Sequence, residues 1–295
     1  MKVKLCLVIF IGLYSTISAF GQLNNPGQPP IPANSTKKDS TAAKTEWDVT
    51  LDYYTRSVFL GRTDTIGSGY YLPAIAVNLK SGLFFELAPS LFQQNTPKAY
   101  GGLTISGGYD KTLSNNFAID FQLIKNFFPS SANASRRINS TVTFEGEAGV
   151  DYINEIVTSE LSPQILFNKS SFDNTPDYVF TLTESHPFYI YAALSYKDSL
   201  SITPSASVSA GTQNFYFAYF NTKVLADHPK AVIKRTKLAS EGKILDYELS
   251  VPISYYWGHL VVTATPLYSI GENILGRTTP LDVWSADIGV GYRFW

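Results

Sequence analysis

Residues 282–295 read DVWSADIGVGYRFW, and their alternation decides the fold. Ala286, Ile288, Val290, Tyr292 and Phe294 alternate with Asp287, Gly289, Gly291 and Arg293. Successive side chains of a strand point to opposite faces, so this stretch has one apolar face and one polar face.

The same period recurs upstream. Trp47, Val49, Leu51 and Tyr53 oppose Asp48, Thr50, Asp52 and Tyr54. Leu83, Phe85 and Leu87 oppose Phe84, Glu86 and Ala88, and Phe117, Ile119, Phe121 and Leu123 oppose Ala118, Asp120 and Gln122. Val142, Phe144, Gly146, Ala148 and Val150 oppose Thr143, Glu145, Glu147 and Asp151. Leu245, Tyr247, Leu249, Val251, Ile253 and Tyr255 oppose Asp246, Glu248, Ser250 and Ser254. A soluble β-sandwich also alternates, but its outer face carries frequent Lys and Glu, and these segments carry few Lys. The pattern predicts an all-β, antiparallel transmembrane β-barrel of about 12 strands, within a range of about 10 to 14.

The joints agree with that prediction. Short turns fall at Lys80–Gly82, Asp110–Asn116, Lys197–Ser199 and Trp257–His259. Longer polar loops fall at Arg62–Gly69, Phe127–Arg137, Asn168–Thr175, Thr222–Gly242 and Gly271–Leu281. In outer-membrane barrels the short turns are periplasmic and the longer loops extracellular. Ser185-His186-Pro187 either bends one strand or splits it into two, and Phe215–Phe220 is a further candidate strand.

Lys2 and Lys4, the apolar run Leu5–Leu13, and Ala19 and Gly21 at −3 and −1 of a cut before Gln22 predict a signal peptide over 1–21. Residues 22–46, rich in Pro, Asn, Ser and Thr without any period, are expected to be a disordered periplasmic segment, leaving 47–295 as the barrel. Removing Lys2 and Lys4 leaves 21 bases against 24 acids, a net charge of about −3, which points away from nucleic acid. No segment after residue 21 approaches 18 consecutive apolar residues, so helical spans are not expected. Tyr and Phe number 19 each, which suits a barrel with aromatic girdles. The expected location is the outer membrane after export, in contact with its lipid and lipopolysaccharide. Tyr292, Phe294 and Trp295 are the expected signal for the barrel-insertion machinery.

With the apolar set facing lipid, the lumen is expected to hold Asp48, Asp52, Glu86, Asp120, Glu145, Glu147, Asp151, Asp246, Glu248 and Asp287. Arg56 and Arg293 are the clearest bases among them. Carboxylates with few bases favour cations in a water-filled pore. The same acids also suit a structural network filling a narrow lumen, so an open pore for small solutes and a closed interaction barrel both remain. Arg136, Arg137, Lys230, Lys234, Arg235 and Lys237 are candidates for contacting lipopolysaccharide phosphates. His186, His228 and His259 are scattered, without a Ser or Asp partner or a metal-ligand spacing, so neither catalysis, a metal nor a cofactor is expected.

Several short segments resemble a family of outer-membrane barrels from Bacteroidota-type bacteria, similar to the TorF-like porins. They are Ser57-Val58-Phe59-Leu60-Gly61-Arg62, taken as the end of the first strand, Lys80-Ser81-Gly82-Leu83-Phe84, and Ile202-Thr203-Pro204 with Ala210-Gly211-Thr212-Gln213. Ile244–Pro252, Ala264-Thr265-Pro266-Leu267-Tyr268 and Tyr292-Arg293-Phe294-Trp295 complete the set. The resemblance implies a barrel and its location, since the family has no settled activity. Two departures are that Gly61 precedes Arg62, where TorF-like porins place Arg before Gly, and that Trp295 lies one residue beyond the in-phase Phe294.

Overall fold

The computed structural model describes residues 45–63, 69–92, 100–128, 142–168, 175–196, 198–215, 237–275 and 281–294. The predicted signal peptide and nearly all of the 22–46 segment lie outside them.

The strands are β1 (Glu46–Tyr54), β2 (Tyr70–Asn78), β3 (Leu83–Phe92), β4 (Tyr100–Thr112), β5 (Phe117–Phe127), β6 (Val142–Ile153) and β7 (Thr158–Asn168). They continue as β8 (Asp177–Ser185, resuming at Phe188–Tyr191), β9 (Asp198–Ile202, resuming at Ser205–Gly211) and β10 (Lys243–Ser250, resuming at Ile253–Trp257). β11 (Leu260–Gly271) and β12 (Leu281–Phe294) complete the sheet. Each strand pairs antiparallel with its sequence neighbours, and β1 closes on β12 from Trp47↔Phe294 to Tyr54↔Asp287. The result is a closed barrel of 12 strands. Closure satisfies the backbone groups within the sheet, which is what a strand needs to cross lipid.

The breaks in β8, β9 and β10 share one physical cause. Pro187, Pro204 and Pro252 have no N–H to give the ladder, so regular pairing stops at each. The strands are stitched across the gap by His186 N–H to Pro204 O (3.2 Å), Thr203 N–H to Pro252 O (2.9 Å) and Val251 N–H to Pro266 O (3.1 Å). The bend runs across adjacent strands, so Ser185-His186-Pro187 bends β8 and does not split it.

The predicted faces are those observed. Leu83, Phe85, Leu87 and Leu91 point outward, while Phe84, Glu86, Ala88, Ser90 and Phe92 are buried inside. Aromatic residues gather at both ends of the outer surface. Phe117 and Tyr152 (5.3 Å between centroids) and Tyr292 and Phe294 (4.8 Å) lie toward the short turns, and Tyr268 and Trp284 (4.6 Å) lie toward the long joints. A lipid-facing apolar belt flanked by two such girdles places the barrel in the outer membrane.

Two apolar residues face opposite to the prediction. Val142 pairs with Asn168 but Phe144 with Phe167, so one residue is inserted between them. Likewise Asp246 pairs with Ser209 and Ile244 with Ala210, leaving Leu245 as the extra residue. A bulge resets the alternation, and it turns Val142 and Leu245, each 1% exposed, into the interior. Asp110, expected in a turn, is a residue of β4, which runs on to Thr112.

Candidate functional site

The lumen is built from the inward side of each strand. Asp48, Asp52, Glu86, Glu145, Glu147, Asp151, Asp246, Glu248 and Arg293 are buried there, and Asp120 and Asp287 are half-buried. Arg56 is not among them. β1 ends at Tyr54, and Arg56 is exposed beyond it. The second inward arginine is Arg62, because the chain turns back into the barrel after Arg56.

At the periplasmic end, Arg293 Nε donates to Asp48 Oδ1 (2.8 Å) and lies 3.5 Å from Glu46 Oε2. Asn78 Nδ2 donates to Asp48 Oδ2 (2.8 Å), so the first and last strands are joined by a saturated polar group.

Toward the middle, glycines make room for carboxylates against the wall. Asp120 pairs across strands with Gly149, and Asp52 with Gly289. A Cβ on Gly149 would stand 1.8 Å from Asp120 Oδ2, and one on Gly289 would stand 2.0 Å from Asp52 Oδ1. Each carboxylate therefore occupies the space of the missing side chain.

The wall differs around its circumference. β4 to β7 carry Asp110, Asp120, Glu145, Glu147, Asp151 and Glu160. β8 and β9 carry a row of hydroxyls, with Thr181 bonded to Ser209 (3.0 Å) and Ser205 to Ser250 of β10 (2.7 Å). The sequence reading missed Asp110, Glu160 and this hydroxyl side. The last had a visible signal in the period-2 spacing of Thr181, Thr183 and Ser185 and of Ser205, Ser207 and Ser209.

At the outer end, two described segments fold inward. Val58–Phe59 and Arg62–Thr63 pair as a small hairpin, with Leu60 (φ 47°) and Gly61 (φ 71°) at its turn. Both turn residues have positive φ, as a two-residue hairpin of the I′ type requires, although Leu rarely adopts it. Gly61 lies against β11, where a Cβ would stand 2.4 Å from Gly271 Cα. Leu60 packs with Val142, Leu166, Val179, Phe215 and Leu245, so both of the apolar residues turned inward by the bulges join this cluster. The segment Ser57–Arg62 is thus part of an inward hairpin and not the end of the first strand.

A second inward segment holds the hairpin. Asp177 accepts bonds from Asn168 Nδ2, Thr212 Oγ1 and the Phe215 N–H, each at 2.6 Å, and from the Asn214 N–H. That carboxylate seats Phe215, which meets the Phe59 ring edge-on at 5.3 Å. Arg62 Nη2 donates to Gln213 Oε1, and its guanidinium lies 5.7 Å from the Phe215 centroid. Phe215 therefore enters the lumen, and residues 216–220 of the candidate strand lie outside the described residues.

Of the lipopolysaccharide candidates, Lys237 is exposed at the start of a helical turn over residues 237–240. Arg136, Arg137, Lys230, Lys234 and Arg235 lie outside the described residues, as does Trp295. Beside that turn, Lys243 pairs with Glu241 (2.9 Å) and holds its carboxyl below the usual range. His259 Nδ1 lies 2.8 Å from Arg293 O, His186 packs edge-on against Phe188, and His228 lies outside the described residues. Among the described residues no three His, Cys, Asp or Glu side chains converge on a point that could hold a metal ion.

A closed ladder, an apolar belt and a polar lumen define an outer-membrane β-barrel. No family model and no curated protein matches the chain. Among solved structures it is similar to the KdgM porin, with 11% identity, TM-score 0.46, and coverage of 84% of this chain and 99% of that one. It is similar to the COG4313 outer membrane channel from Pseudomonas putida F1, with 9% identity, TM-score 0.44, and coverage of 88% and 100%. It is also similar to LpxR from Salmonella typhimurium, with 8% identity, TM-score 0.42, and coverage of 83% and 99%. At these identities the likeness concerns the barrel alone.

Proposed function

We propose that this barrel is a passive, weakly cation-preferring channel for small solutes, with the Val58–Thr63 hairpin as a stopper at its outer mouth. The carrying observation is the lumen's charge. Carboxylates line β1, β3 to β7, β10 and β12, whereas the inward bases among the described residues are Arg62, in the stopper, Arg293, in the closing seam, and Lys243, paired with Glu241 at the outer rim. Fixed negative charge along a solvated lumen concentrates cations and repels anions. In this reading the signal peptide over 1–21, the 22–46 tail, recognition through Tyr292, Phe294 and Trp295, and basic loops touching lipopolysaccharide complete the protein. The kinship with TorF-like porins belongs to the same proposal.

The stopper favours a second reading, a closed barrel that acts through its extracellular loops. Single-channel recording of the refolded full barrel in a planar bilayer under a KCl gradient decides between them. Discrete steps with a cation-selective reversal potential support the channel. An anion-selective potential overturns the charge argument, and silence from a heat-modifiable barrel favours the closed one.

A further inference from the structure

We propose that the lumen binds linear polyamines along the acid wall of β4 to β7, toward its periplasmic end. This deepens the channel reading by naming a ligand class, and it rests on that reading only for access from the periplasm.

The wall consists of Asp110, Asp120, Glu147, Asp151 and Glu160, on four adjacent strands. Asp110 stands directly opposite Asp120, and Asp151 directly opposite Glu160. Like charges placed opposite one another across a strand pair repel, and a cation between them relieves that repulsion. No described base does this. Lys111 and Lys125 of β4 and β5 sit on the outward face, Arg62 is held in the stopper and Arg293 in the seam. Glu160 is bonded only in part, its Oε1 accepting from Ser162 Oγ at 2.6 Å.

Asp151 supplies a second and independent observation. It is 8% exposed and faces the lumen, yet its Oδ1 has no hydrogen-bond partner. A buried carboxylate oxygen without a donor is unfavourable, and a cation entering the lumen would satisfy it. The same lateral row continues through Thr183 to Ser207, whose buried Oγ is also without a partner. The row therefore offers oxygen acceptors beyond its carboxylates.

The spacing selects the ligand. A compact divalent ion needs several oxygens converging at about 2.0–2.6 Å, and no described trio converges in this way. The acids are instead strung out. Opposed pairs lie about 5 Å apart across strands, and Glu147 and Asp151 lie roughly 13 Å apart along β6. Charges distributed along a flexible chain match that arrangement, and a point charge does not.

Calorimetric titration of the refolded full barrel with spermine tests the proposal, with Mg²⁺ titrated at equal ionic strength for comparison. Saturable spermine binding is expected, with Mg²⁺ weaker. Asp151→Asn with Glu160→Gln should weaken spermine binding by about tenfold or more, the equivalent of about 1.4 kcal/mol, while Glu241→Gln on the surface leaves it unchanged. No spermine binding, equal affinity for Mg²⁺, or equal losses in both variants would overturn the proposal. If the double variant does not refold, Asp110→Asn is titrated in its place and judged by the same outcomes. The channel reading fails separately, since spermine binding without conductance would sink that reading and leave this one standing.

Discussion

Arg293 Nε donates to Asp48 Oδ1 at 2.8 Å across the seam where the last strand meets the first, and both side chains are buried. Removing one partner of a buried pair leaves an uncompensated charge, whereas removing both does not. Arg293→Met should therefore destabilise the barrel by about 3 kcal/mol. Asp48→Asn in the same chain should restore part of that loss. The urea midpoint for losing the heat-modifiable form measures both, and equal midpoints for Arg293→Met and the unaltered barrel would show that the pair does not secure the seam.

Leu60 carries the stopper's apolar anchor on a backbone of unfavourable φ. Leu60→Ala keeps the strained turn and loses the packing, at about 2–5 kcal/mol for a buried leucine. The open fraction in single-channel records should rise. An unchanged record from the folded variant would remove the stopper from the conduction path.

Asp177 acts on the stopper from the opposite side by seating Phe215. Asp177→Ala deletes the acceptor of four hydrogen bonds and leaves two backbone N–H groups without it. A change in the same direction as that of Leu60→Ala is expected, accompanied by faster proteolysis of the chain after Phe215. Protection equal to that of the unaltered barrel would count against the seating role.

Gly149→Ala and Gly289→Ala should push Asp120 and Asp52 off the wall toward the lumen axis. Overpacking of this kind costs about 1–3 kcal/mol. Unit conductance should fall in both. Gly291→Ala is the control, because its Cβ would meet Thr50 Cγ2 at a milder 3.3 Å.

Selectivity should follow access to solvent. Asp110 and Asp120 are half-buried, whereas Glu145 and Glu147 are buried. Asp110→Asn with Asp120→Asn should move the reversal potential toward zero by more than Glu145→Gln with Glu147→Gln does. The opposite order would mean that the current passes closer to the deeper pair.

Alternation is a local property of the chain, and it was enough to assign the barrel, its closing strand and the inward placement of Asp48, Asp52, Glu86, Asp120, Glu145, Glu147, Asp151, Asp246, Glu248 and Arg293. A side chain's face depends only on its parity within a strand, and parity is written in the sequence. What escaped the reading depends on distant parts of the chain. The bulges before Phe144 and at Leu245 reset that parity without any change in composition, because an inward Val142 or Leu245 is stabilised only by the cluster it joins. Arg56 and Arg62 are the same residue type on the same joint. Arg62 turns inward because Gln213 and Phe215 meet it there and Gly271 admits the Gly61 backbone. Polarity that repeats every second residue was legible in the sequence, whereas the inward packing of the Val58–Thr63 hairpin arose only when separate segments met inside the barrel.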